Sequence, residues 1–140
     1  MSDPFNLDRF VTAQDAVLAQ VRIELRAGAK RTHWMWFVFP QLRGLGRSDT
    51  ARRFALASLD EARAYLTHPL LGPRLIECTN LVNAVEGRSA HQIFGDPDDL
   101  KFHSSMTLFA EVEGPSERVF HKALKKYFGG KTDQATLARL

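Results

Sequence analysis

Apolar residues at Leu7, Phe10, Val11, Val17, Leu18, Val21 and Leu25 recur at the three-to-four spacing of a helix face. The pattern predicts one amphipathic helix from Leu7 to Gly28, with Asn6 able to cap its start and Gly28 its end. The polar break Lys30-Arg31-Thr32 precedes His33-Trp34-Met35-Trp36-Phe37-Val38-Phe39-Pro40, a run too short for its period to decide. Thr32 is a plausible N-cap, and Pro40 ends the element or follows it. A short buried helix is favoured. A strand stays open, because aromatic and β-branched residues also suit strands.

Gln41 to Ser48 reads as a loop with two glycines, and Ser48 as the cap of a helix from Asp49 that carries Arg52 and Arg53. Ser58-Leu59-Asp60-Glu61 is a capping box opening a helix to about Thr67. A helix from about Leu70 to Val85 follows, with Pro73 in its first turn and Gly87 as its stop. Ser89 to Phe94 forms another turn or two, closed by Gly95. Asp96-Pro97-Asp98-Asp99 then reads as N-cap, first-turn proline and acids facing a helix dipole, for a helix to about Val112. Gly114-Pro115-Ser116 is a turn and cap, Glu117 to Phe128 a helix stopped by Gly129-Gly130, and Thr132 the cap of a last helix, Asp133 to Leu140. No segment alternates apolar and polar over a strand's length, and no linker divides the chain. The expectation is all-α: residues 1–140 as a single helical domain, an irregular multihelical bundle of about seven or eight helices.

Composition narrows the class. A hydrophobic fraction of 44% with 25% charged residues is that of a globular chain with a core to bury. The longest apolar run, Trp34–Pro40, falls far short of the roughly 18–20 residues that span a bilayer. Met1–Leu7 lacks the basic-then-apolar order of a secretion signal, and one cysteine cannot form a disulfide framework, so the expected location is the cytoplasm. Cys78 falls on the stripe Leu71, Leu75, Cys78, Val82, Val85, where a buried structural thiol is expected. The net charge of +3 is small, which disfavours nucleic acid as partner even though Lys30, Arg31, Arg43, Arg47, Arg52, Arg53 and Lys122–Lys126 are basic.

Two segments hold the candidate chemistry. In the first, Gly44 and Gly46 permit close backbone approach, Arg43 and Arg47 flank them, and Ser48 opens a helix whose free N–H groups favour an anion. The loop lacks the lysine-Ser/Thr ending of a Walker loop and the GxGxxG of a dinucleotide fold. Trp34 and Trp36, about 200° apart on a helix, are either core anchors or an aromatic wall for a flat ligand. In the second segment, Asp98 to Phe109, Lys101 and Ser105 share a face at i and i+4, with Ser104 nearby and Thr107 close behind. A serine–lysine pair can supply nucleophile and base, or bind an anion without chemistry; close packing of small residues is the plainer alternative. His33 could act as acid or base, whereas His33, His68, His91, His103 and His121 lack metal-ligand spacing, so no metal and no cofactor are expected.

The strings HWMWFVFPQLRGLGRS and FGDPDDLKFHSSMTLF, with ARAYLTHPLLGPRL between them, resemble a bacterial family of small multihelical proteins of uncharacterised function. Its members are sometimes labelled calpastatin, and it has a mycobacterial structural representative. The resemblance covers roughly Leu7 to Leu140 and implies a multihelical fold and no established activity. It marks His33–Trp36, Pro40–Leu42, Gly44–Gly46, Ser48, Lys101 and Ser104–Phe109 as the signature.

The leading expectation is therefore a small anionic, phosphate-containing and nucleotide-like ligand held between segments 33–48 and 101–107. Its contacts would be Trp34, Trp36, Gln41, Arg43, Gly44, Gly46, Arg47, Ser48, Lys101, Ser105 and Thr107, with His33, Lys101, Ser104 and Ser105 as candidates for any catalytic role. The alternative is a non-enzymatic adaptor that presents the Trp/Phe cluster to a protein partner.

Overall fold

The protein's structure, a computed structural model, describes residues 3–117 and 119–140, with the backbone path alone for 114–117. Among these residues it is helical: α1 (Asp8–Asp15), α2 (Leu18–Ala27), α3 (Met35–Val38), α4 (Asp49–Arg53), α5 (Leu59–Thr67), α6 (Leu71–Asn83), α7 (Ala90–Phe94), α8 (Asp98–Glu117), α9 (Val119–Phe128) and α10 (Gln134–Leu137). None of them is long and apolar enough to cross a membrane.

The all-α expectation holds, with more and shorter pieces than the seven or eight expected. The first predicted helix is two. Gln14, the last buried residue of α1, donates from Nε2 to the Phe37 carbonyl at 2.6 Å and the Tyr65 hydroxyl at 2.9 Å. The chain then turns at Ala16-Val17 before α2. Asn6 does not cap α1. It takes a positive φ of 52°, and the Asp3 carboxylate accepts from the Leu7 and Asp8 amides instead. Gly28 ends α2 as expected, at φ 69°.

The aromatic run forms the short helix α3, which settles the helix-or-strand alternative. Its N-cap position is Trp34, and Thr32 turns its hydroxyl to Glu24. Ser58 caps α5 by accepting from Glu61 N at 3.1 Å. Glu61 reaches back to the Ala57 amide at 2.8 Å, one residue beyond a reciprocal box, and its other oxygen pairs with Arg9 at 3.0 Å. The same Arg9 guanidinium donates to the carbonyls of Phe5, Asn6, Arg53 and Ala55, so it ties the start of the chain to the end of α4 and the entry to α5. The reciprocal box occurs at α7, between Ser89 and Gln92.

The helix after Pro97 begins at Asp98, so the proline precedes it and does not occupy its first turn. It also runs to Glu117, past the turn expected at Gly114-Pro115-Ser116; a Ser116 cap falls outside the described side chains. The last helix is capped by Asp133, whose Oδ2 accepts from Thr136 N at 3.2 Å; Thr132 is one residue too early.

α8 is the central element, packed against α5, α7, α9 and α10. It carries Phe102, Met106, Leu108 and Phe109 into a core that also holds Phe10, Trp34, Phe39, Tyr65 and Phe120, all 0% exposed. Phe39 meets Phe94 and Phe102 edge-on, with ring centroids 5.9 and 5.1 Å away. Such pairs add to the area term that drives burial. The Phe39 anchor sets the exit direction of the chain toward Pro40 and the glycine loop. Cys78 is buried on α6, as its stripe predicts, and burial pushes its thiol up to about 12.

Candidate functional site

Glu24, which holds the segment leading into α3, is 2% exposed and yet charged. Burial opposes its ionisation. Hydrogen bonds from the Thr32 hydroxyl, the Arg31 amide, the Gln20 side chain and the Thr32 amide outweigh that cost and hold its carboxyl at about 2. Trp34 adds a fifth donor, Nε1 to Oε1 at 3.0 Å. This carboxylate folds residues 31–34 around itself and fixes where the aromatic element begins. Trp34 is thereby a core anchor and not the ligand wall considered above. Trp36 and Phe37 are half-buried, so each keeps part of its ring at the surface.

Past Pro40 the chain runs beside α5's entry. Leu42 bridges to Leu56, with Arg43 N donating to Leu56 O at 2.7 Å and Leu56 N to Gln41 O at 2.9 Å. This two-bond clamp presents the loop of Gly44 to Gly46. Gly44 has φ +97°, and a Cβ there would collide with the guanidinium of Arg139, which reaches the loop from the end of the chain. The close approach expected of the glycines is thus real, and a cation occupies it. At Gly46 a Cβ would meet that of Ala51 at 2.5 Å. Arg43, Arg47 and Ser48 are exposed. Ser48 caps α4 as predicted, accepting from Ala51 N at 3.1 Å. α4 is little more than one turn, too short to sum an appreciable dipole, so the helix part of the expected anion cradle contributes little.

From the opposite side, α8 presents Lys101. Its Nζ lies 4.8 Å from the centre of the Trp36 ring and 3.3 Å from Asp98 Oδ1. Lys30 takes the other oxygen of Asp98 at 2.8 Å and lies 5.1 Å from the Trp34 ring centre. Two ammonium groups share one carboxylate, which leaves an excess of positive charge at this wall. Ser104 is next along the helix. Its hydroxyl lies 3.1 Å from the Leu100 carbonyl and 3.0 Å from Asp133 Oδ2.

Other expected contacts go elsewhere. Ser105 is 0% exposed and its Oγ has no partner among the described residues, so it faces the core and cannot meet a ligand or act beside Lys101. Thr107 is equally buried. It donates to the His103 carbonyl at 2.9 Å and accepts from Asp133 N at 2.9 Å, joining α10 to α8. His33 is exposed ahead of α3 and does not line the cleft described next. His103 does line it, but its ring stacks on Phe128 at 4.0 Å and its Nε2 donates to the Lys131 carbonyl at 2.8 Å.

The two signature segments meet across a cleft of about 370 Å³. The loop contributes Gln41, Leu45 and Gly46; α8 and its approach contribute Pro97, Leu100, Lys101, His103 and Ser104. A third wall, Asp133 and Ala135, comes from the last turn of the chain. The volume lies in the range of about 300–1,000 Å³ typical of small-molecule sites. Leu45, Pro97, Leu100 and Ala135 form an apolar part, and Leu100 is 60% exposed there. Gln41, Lys101, Ser104 and Asp133 form the polar part. Sequence reading missed the apolar lining Leu45, Pro97 and Leu100, and also Asp133, Ala135 and Arg139. The available signal was an aspartate three residues before Thr136, the spacing of an N-cap, which places Asp133 at a fixed helix start. Among the described residues no group of three or more His, Cys, Asp or Glu side chains could hold a metal ion.

Fold and site together define an all-α protein with a mixed polar and apolar cleft between its glycine loop, its longest helix and its last turn. A family model described as "Protein of unknown function (DUF1810)" matches residues 4–140, and the chain belongs to that family. The crystal structure of a conserved hypothetical protein from Mycobacterium tuberculosis is similar over 99% of this chain and 98% of that one, at 61% identity and a TM-score of 0.96. No curated protein matches.

Proposed function

We propose that the cleft binds a small anionic, phosphate-containing ligand. The observation that carries this reading is the charge at its wall: Lys30 and Lys101 share the single carboxylate of Asp98, and Lys101 lines the cleft. Arg139 at Gly44 and the exposed Arg47 beside Gly46 add positive charge at the loop. A phosphate bound here would meet ammonium and guanidinium donors, whose charge-assisted bonds are the stronger kind.

The test is a thermal-shift and calorimetric screen with inorganic phosphate, sugar phosphates and nucleotides. A ligand at 100 times its dissociation constant stabilises by about 2.7 kcal/mol, enough to read as a shift in melting temperature. Lys101→Ala and Arg47→Ala should each weaken binding roughly tenfold, about 1.4 kcal/mol. Neither should unfold the protein. Arg47 is exposed, and Asp98 keeps Lys30 when Lys101 is gone. A wild-type protein that ignores every anion, or variants that bind like wild type, would remove this reading.

A further inference from the structure

Asp133 is held in an unusual way for a residue that lines a cleft. Its Oδ2 accepts from the Ser104 hydroxyl at 3.0 Å, the Thr136 hydroxyl at 2.6 Å and the Thr136 amide at 3.2 Å. Its own amide donates to Thr107 at 2.9 Å. Every one of these side-chain bonds converges on the same oxygen. No described residue donates to Oδ1. The carboxylate is therefore fixed in orientation by one oxygen and has full accepting capacity on the other. A fixed acceptor in a cleft selects for a ligand that brings donors, and an uncharged hydroxyl is the donor that leaves the ligand's net negative charge intact.

We infer that the cleft recognises a phosphorylated sugar, free or as part of a nucleotide, with the phosphate toward Lys101 and sugar hydroxyls donating to Asp133 Oδ1. The inference rests on the anion reading above and adds the class of ligand. It accounts for both charges in one small cleft. A bare anion gains from Lys101 and is repelled by Asp133, whereas a sugar phosphate gains from both. The apolar part, Leu45, Pro97, Leu100 and Ala135, is left to cover the remaining face of the sugar or an attached base.

Asp133→Asn isolates the role of Oδ1. Asparagine is as good an N-cap as aspartate. The Ser104 and Thr136 donors would hold its carbonyl oxygen in the place of Oδ2, which leaves an NH2 group where Oδ1 stood. The acceptor becomes a donor while the cap is kept.

Titration calorimetry of wild-type protein with ribose 5-phosphate, 2-deoxyribose 5-phosphate, AMP and inorganic phosphate tests the inference. Ribose 5-phosphate should bind at least tenfold more tightly than inorganic phosphate, and loss of a hydroxyl in the deoxy compound should weaken it. AMP tighter than ribose 5-phosphate identifies a nucleotide; the reverse identifies a free sugar phosphate, and either supports the inference. In Asp133→Asn the sugar phosphate should fall to the level of inorganic phosphate, whose own affinity does not fall. Inorganic phosphate bound as tightly as every sugar phosphate would overturn the inference and leave the anion site standing. Binding of no anion at all would remove the site and the inference together. A preference that survives in Asp133→Asn would overturn the assignment to Asp133, and should that variant fail to fold, the wild-type comparison with the deoxy compound decides alone.

Discussion

Glu24 illustrates how one side chain organises a segment with no regular structure. Five donors from Gln20, Arg31, Thr32 and Trp34 converge on it, and its carboxyl sits at about 2 against an ordinary value of 4.5. A depressed folded-state value means the ionised form stabilises the fold. That contribution, roughly 3 kcal/mol from the shift, is complete above about pH 4.5 and is lost as pH falls toward 2. Glu24→Gln turns an NH2 group toward donors and should lower stability by about that amount at pH 7. Urea denaturation of the two proteins across pH 7 to 3 should show the gap narrowing below about 4.5; a gap that stays constant would assign the loss to packing. Nothing in the apolar spacing of the first helix marks Glu24, since its partners lie in the aperiodic stretch 31–34. Conversely, the burial of Cys78 was legible, because it falls on a regular stripe.

Elements were legible where local chemistry dictates them. Ser48, Ser58 and Ser89 all stand at the helix starts that their hydroxyls cap. The errors lie where a distant contact overrides the local pattern. The break between α1 and α2 follows from Gln14 binding Phe37 and Tyr65, and Asp3 displaces Asn6 as the cap of α1. The crossing of α5 and α6 depends on another such contact. Gly72 lies in the first turn of α6 with its Cα against the Leu66 carbonyl, and a Cβ would overlap that oxygen. The obstacle is backbone and cannot swing aside. Gly72→Ala should therefore cost about 3 kcal/mol, against the helix-propensity gain of about 1 kcal/mol that alanine brings elsewhere. A melting temperature at or above wild type would show that the two helices separate freely.

The whole molecule was legible as an all-α arrangement, whereas the meeting of its two signature segments across the cleft was not, because no spacing along the chain fixes how α8 packs against the loop. Nor was the third cleft wall, because residues 133–139 carry no apolar period and reach the site only through the packing of α10 on α8. Cys78 offers a measure of the assembly as a unit. It is 1% exposed and burial holds its thiol at about 12, so the native protein should resist a thiol reagent such as Ellman's reagent and react fully in 6 M urea, a concentration of the order that unfolds small domains. Native labelling should proceed at a rate set by global opening, and slow in step with any ligand that stabilises the fold. Prompt labelling of native protein would mean that α6 opens by itself.

The cleft also links binding to the attachment of a single turn of helix. α10 is held to α8 by Thr107 and Ser104, and it supplies the fixed acceptor of the site. Whenever that turn swings away, the acceptor leaves with it and the cleft loses a wall. Affinity measured in solution is then the intrinsic affinity multiplied by the fraction of time α10 is in place. A substitution at buried Thr107, which holds the Asp133 amide from outside the cleft lining, would act as an attenuator: it would scale the apparent affinity for every hydroxyl-bearing ligand by the same factor and leave their order of preference unchanged.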